Sequence, residues 1–161
     1  MVRLDTKRVM IIGGLLSKIH SASTLIYDEI EKSMRNGPEM INPGYNLGCT
    51  VFKSEAHGGR PVVLVVGGHE RKNKAEVWDF TSASGHWKSI QNLPKDVAGS
   101  ILVPSPTGKG VFMFHDRDIF GLNCNRQKCE WLAYQKKLEV SRSYGVAMYV
   151  PKSSSCLNIF R

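Results

Sequence analysis

The chain is predicted to be all-β, with about three four-stranded antiparallel sheets laid side by side, and three observations predict it. Residues 60–94 carry an apolar run closed by a glycine pair, a polar excursion, a short strand ending in Trp78-Asp79, and a return carrying Trp87. The same order recurs on both sides of that stretch, about every fifty residues. The apolar runs are short and rich in branched and aromatic side chains, which suits strands and is too little for buried helices.

In the first unit, about residues 7–40, the run 9–12 precedes Gly13-Gly14, Tyr27-Asp28 stands where Trp78-Asp79 stands later, and Met34 takes the place of the tryptophan. This unit is expected to lack a first strand, the chain entering directly at its second. Residues 27–34 have helical propensity, but they fall where the repeat turns from its third strand to its fourth, and the repeat takes precedence. The beginning of the chain mimics a secretory signal, with basic residues, an apolar core and small residues around Ser21-Ala22-Ser23. That core spans only residues 9–16 and is split by two glycines, so it is read as a strand of the repeat. No run approaches the roughly eighteen apolar residues of a membrane span.

The second unit, about residues 44–94, has its first strand at 47–52 and its second at 62–66, closed by Gly67-Gly68, which leave φ free to turn positive. The excursion 69–74, HERKNK, reads as a solvated hairpin end, with a contact loop as its functional alternative. In the third unit, about residues 97–138, strands at 100–103 and 110–114 lead to His115-Asp116 in place of the glycines, Leu122-Asn123 in place of the aromatic–Asp pair, and Trp131 in the return. A partial unit over residues 140–161 offers strands at 144–150 and 155–160.

A double glycine after an apolar strand, an aromatic–Asp pair and a following tryptophan, repeated at this period, resembles the kelch family over almost the whole chain. The resemblance implies a single partial kelch-type β-propeller segment of about three blades. It assigns structural roles to Gly13, Gly14, Tyr27, Asp28, Gly67, Gly68, Trp78, Asp79, Trp87 and Trp131: the glycines permit a tight turn, and the tryptophans pack one blade against the next. Kelch relatives commonly bind protein segments, some as ubiquitin-ligase substrate receptors or actin-binding modules, usually with additional domains. Closed propellers need roughly four to eight blades. Three units therefore point to a fragment of a larger propeller, the favoured reading, or to a homodimer completing a ring, or to an open array.

Cys124 and Cys129 flank a short connection and suit either a disulfide in an oxidising, extracellular setting or two reduced thiols in the cytoplasm. Cys49 and Cys156 read as small hydrophobes within strands, and no Cys/His spacing points to zinc. Residues 107–110 lack the spacing of a phosphate loop, and Gly13-Gly14 lacks the third glycine of a dinucleotide fingerprint. The five histidines are scattered and read as surface residues. No cofactor or metal site is expected.

The net charge of +8 favours an acidic protein partner. The candidate basic binding loops are Arg71, Lys72 and Lys74, and Arg126 with Lys128, which are expected to add up to one basic face. Nucleic acid is disfavoured, because aromatic residues are not interleaved with these clusters. The function expected is a non-catalytic protein–protein interaction module; the alternative is the remnant of a kelch-type propeller enzyme with its site at the channel. Galactose-oxidase-like proteins share this repeat, but their Tyr, Cys and His copper set finds no assignable positions in this chain.

Overall fold

The computed structural model describes residues 1–83, 85–142 and 145. Among them every regular element is a β-strand apart from one 3₁₀ turn, Glu55–His57. Sheet I comprises β1 (Val2–Arg3), β2 (Arg8–Ile12), β5 (Thr24–Asp28) and β6 (Ser33–Asn36), while β3 (Leu15–Leu16) and β4 (Ile19–His20) form a separate hairpin. Sheet II comprises β7 (Gly48–Ser54), β8 (Arg60–Val66), β9 (Ala75–Trp78) and β10 (Lys88–Ser89). Sheet III comprises β11 (Ile101–Pro104), β12 (Gly110–His115), β13 (Asp118–Cys124) and β14 (Cys129–Ala133). Each of the three is an antiparallel meander in chain order. Among the described residues no helix is long and apolar enough to cross a membrane.

The register aligns the units residue by residue. Val9 pairs with Tyr27 and Tyr27 with Met34 in sheet I; Val63 pairs with Trp78 in sheet II; Val111 pairs with Leu122 and Leu122 with Trp131 in sheet III. Residues 27–34 thus turn between two strands. The expectation that the first unit lacks its first strand is corrected: Val2 and Arg3 pair with Met10 and Val9. Two rungs sufficed for this strand, and two residues are too few to show an alternating pattern. The strands expected at 144–150 and 155–160 lie outside the described residues.

Side-chain alternation explains why the second unit is the most apolar. Val62, Leu64 and Val66 join the core between sheets II and III, whereas Val63 and Val65 join the core between sheets I and II. A strand covered on both faces has no polar positions to spare, so β8 reads as an unbroken apolar run. All five of these residues are fully buried. The tryptophans join sheet to sheet. Trp87 lies in the I–II core and donates its indole N–H to Pro38 O at 2.9 Å; Trp131 lies in the II–III core, its backbone N–H donating to Gln91 Oε1 at 3.0 Å.

The first strands converge, β1 against β7 and β7 against β11. Gly48 in β7 permits this approach, since a Cβ there would stand 3.0 Å from Ser100 O. Gly67 has φ +55° and passes so close to the next link that a Cβ would lie 2.5 Å from Val97 O. Asp116, at the corresponding turn of sheet III, adopts φ 53°, a region that Asp tolerates better than most residues. The aromatic–Asp pairs also acquire a physical reason. Asp79 Oδ1 accepts Thr81 N at 3.0 Å and Asp28 Oδ1 accepts Ile30 N at 2.9 Å, so each carboxylate seeds the turn toward the fourth strand.

Candidate functional site

A meander fixes which connections share an end. The links from first to second strand and from third to fourth emerge at one end of the sheets; those from second to third, and the links between sheets, emerge at the other. The β3–β4 hairpin belongs to this second end, since it lies within the link from β2 to β5. There, a cleft of about 530 Å³ opens between sheets II and III, lined by Gly68, His69, Glu70, Lys72, residues 96–98, His115 and Asp116.

Beside that cleft three rings from three different connections meet. Tyr45 stacks on His69 at 4.6 Å between centroids and 13° between planes, and His20 stands 5.2 Å from Tyr45 with its ring tilted by 31°. Backbone pairing holds the middle of this ladder, His69 N donating to Tyr45 O at 3.0 Å. The hairpin that carries His20 turns through Ser17 and Lys18, both with positive φ. Its Leu15, Leu16 and Ile19 are more than half exposed, at 53%, 72% and 72%. Leu16 and Ile19 line a separate cleft of about 490 Å³ together with His20, residues 21–23 and Glu39.

His115 closes the cleft floor. Burial lowers its pKa below the usual histidine value, the Asp116 carboxylate opposing that shift. Its Nε2 lies 3.4 Å from Asp116 Oδ2 and its Nδ1 3.5 Å from Ser100 Oγ. Ser100, 8% exposed, thus lies beside one nitrogen of a ring that lines the cleft, and Asp116 beside the other. Next to it Asp118 is held below the usual carboxylate range by hydrogen bonds from Lys95 at 2.8 Å and Lys137 at 3.0 Å. Among the described residues no group of three or more His, Cys, Asp or Glu could hold a metal ion.

The basic loops require two corrections. Arg71 is not a binding residue on a solvated hairpin: it is 2% exposed and its Nη2 lies 3.1 Å from Glu76 Oε1, both side chains being fully buried. Glu76 also accepts Ile41 N and Asn42 N at 3.0 Å and Asn42 Nδ2 at 2.7 Å, while Arg71 Nη1 donates to Asn42 O at 3.2 Å. The pair clamps the link between sheets I and II onto sheet II. Buried charges persist only when so paired. Lys72 and Lys74 are exposed at the cleft end. Arg126 and Lys128 are exposed in the β13–β14 hairpin, at the opposite end, so the two clusters do not form one basic face.

Cys124 and Cys129 are joined by a disulfide across the last rung of that hairpin, with Cα atoms 4.0 Å apart. Cys49 is a free thiol in β7, and Cys156 lies outside the described residues. Of the histidines read as surface residues, His115 is buried at 9% exposure, and His20 and His69 both lie against Tyr45. Spacing gave no sign of that ladder, because its members come from a hairpin, an inter-sheet link and a turn. The motif LLSKIH, two leucines before a two-residue turn and an isoleucine after it, was the available signal for the hairpin.

No family model matches the sequence, and no curated protein does. Among solved structures the fold is similar to one described as "Structure of YjhT", with a TM-score of 0.61 and 14% identity over 79% of this chain and 42% of that one. The chain thus spans less than half the length of that structure. At this identity the likeness concerns the fold.

Proposed function

We propose that the chain is a segment of a kelch-type β-propeller that works as a protein-binding module rather than as an enzyme, and that it recognises an acidic partner segment at the cleft end. The observation that carries this reading is the exposed apolar hairpin tip, Leu15, Leu16 and Ile19, whose His20 packs near Tyr45, while His69 on Tyr45 lines the cleft edged by Lys72. Connections presented by a stack of sheets make a preorganised surface, which lowers the entropic cost of binding. The apolar tip supplies an anchor, and the chain's net charge of +8 favours an acidic partner, whose carboxylates would meet Lys72 and Lys74 rather than the cleft's own Glu70, Asp96 and Asp116. The radial reading draws its support from the converging first strands and from the repeat register.

Selection from a random peptide library on the immobilised chain tests this reading. Enriched peptides are expected to combine Asp or Glu with an apolar anchor, and to lose at least about tenfold in affinity with Leu16→Asp or Lys72→Glu, a hot-spot magnitude of about 1.4 kcal/mol. Enrichment that neither substitution affects, or no enrichment, overturns it.

A further inference from the structure

At the end of the sheets opposite the docking cleft, sheet II carries a small pocket of about 130 Å³, lined by His57, Arg60, Asp79, Ser82, His86 and Lys88. Two connections of one sheet build it. His57 closes the 3₁₀ turn between β7 and β8, and Arg60 opens β8. The turn from β9 supplies Asp79, Ser82 and His86, and Lys88 opens β10. That turn is tied down: Trp78 Nε1 donates to Gly85 O at 3.1 Å, Gly85 N to Ser82 O at 3.1 Å and Ser82 N to Asp79 O at 3.3 Å. A Cβ on Gly85 would stand 2.9 Å from Trp78 Nε1 and closer still to Asp79 O, so this close approach requires glycine.

The charges in this pocket do not cancel. Asp79 is its one carboxylate among the described residues, and both oxygens are engaged: Oδ1 accepts Thr81 N at 3.0 Å and Thr81 Oγ1 at 2.6 Å, and Oδ2 accepts Arg60 Nη2 at 2.8 Å. Arg60 also donates Nε to His57 O at 2.9 Å, which fixes the guanidinium with Nη1 to spare. Lys88 is then a positive charge in excess. Ser54 Oγ lies 3.0 Å from His57 Nδ1, which leaves Nε2 for the pocket. Burial lowers the His57 pKa, Asp79 opposes that shift, and Lys88 and Arg60 add to it. We propose that this pocket binds the phosphate of a phosphate monoester or free phosphate, with Lys88 and Arg60 as its charged contacts and His57, Ser82 and His86 as further donors. A phosphate monoester carries about −1.5 to −2 charges near pH 7 and three strong acceptor oxygens. It offsets the surplus charge and accepts from donors that arrive on two connections, where a planar carboxylate offers two oxygens. Guanidinium and ammonium groups are the side chains that hold phosphate best, the first by its fork and the second as a point charge. The pocket shares no lining residue with the docking cleft, so this inference stands whether or not that cleft binds a peptide.

Titration of the 161-residue chain with inorganic phosphate, at an ionic strength held constant with sodium chloride and followed by NMR of the histidine rings, tests it. Saturable shifts of the His57 and His86 signals are expected, with His69 unmoved. Acetate is expected to bind at least about tenfold more weakly than phosphate. Lys88→Glu is expected to lower phosphate affinity at least about tenfold, a difference of about 1.4 kcal/mol. Arg126→Glu makes the same change of charge at the same end but outside the pocket, and is expected to lower it less than about twofold, since salt screens exposed charges. His86→Ala, at a second exposed position, is expected to weaken binding as well, and this arm holds even if Lys88→Glu fails to fold. A phosphoserine peptide that binds more tightly than inorganic phosphate assigns the site to a phosphorylated side chain; one that binds no more tightly assigns it to free phosphate. No saturation, acetate equal to phosphate, equal losses in Lys88→Glu and Arg126→Glu, or a peptide that binds as well without its phosphate overturns the proposal.

Discussion

Sheets I and II follow one plan and differ in what lies against them. In sheet II both faces of β8 meet a neighbour, so five consecutive residues are buried; in sheet I, Met10 and Ile12 are buried while Val9 and Ile11 face outward with no described neighbour. The same contrast marks the return strand, with Trp87 buried and Met34 in its place exposed. Identical strand order therefore does not confer identical burial. Position in the stack does, and the energetic consequences of equivalent substitutions should differ accordingly.

Substitutions at equivalent positions break this comparison most sharply. Trp87→Ala removes a buried indole and its hydrogen bond to Pro38 and is expected to cost about 3–5 kcal/mol in urea denaturation, whereas Met34→Ala should change stability by less than about 0.5 kcal/mol. Glu76→Ala leaves Arg71 as an uncompensated buried charge and is expected to cost about 3–5 kcal/mol. The exposed Arg126→Ala should again stay within about 0.5 kcal/mol. Equal costs at the two arginine-bearing sites would remove the distinction between clamp and surface loop.

Gly67→Ala forces a side chain into the left-handed region and against Val97 O, and about 1–3 kcal/mol is expected from the backbone strain alone. Gly108, also at positive φ but with nothing within 4 Å of its Cβ position, should cost less on the same substitution. Reducing the Cys124–Cys129 bridge, which closes a very short loop, should lower stability by about 2 kcal/mol on the loop-entropy account, read as a shift in the denaturation midpoint.

The smallest expected effect is a dependence on pH. His57 and His115 both titrate below the ordinary value of 6.5, chiefly through burial. The unfolded chain binds their protons first, so stability should be full above about pH 6.5 and decline as pH falls below it. Replacing both histidines with glutamine should flatten that part of the profile. A profile in which stability rises on acidification through this range contradicts the assignment.

Much of the stack was legible in the sequence. The runs at 9–12, 62–66 and 111–114 are central strands of three meanders, and the glycines and tryptophans mark turns and contacts between sheets. What escaped had no local signature. β1 pairs through only Val2 and Arg3. Arg71, within a run of charged residues, is buried because Glu76 lies beside it once β9 is formed. The His20–Tyr45–His69 ladder exists only after three connections reach the same end.

The central claim is that sheet II lies between two other sheets of the same kind. Amide hydrogen exchange of the 161-residue chain, followed by mass spectrometry on peptic fragments, tests it most directly, because exchange reports local opening. Amides of Arg60–Val66 are expected to exchange slowest of all, well behind those of Ser33–Asn36 at the open edge of sheet I. Equal rates in these two strands would contradict the arrangement.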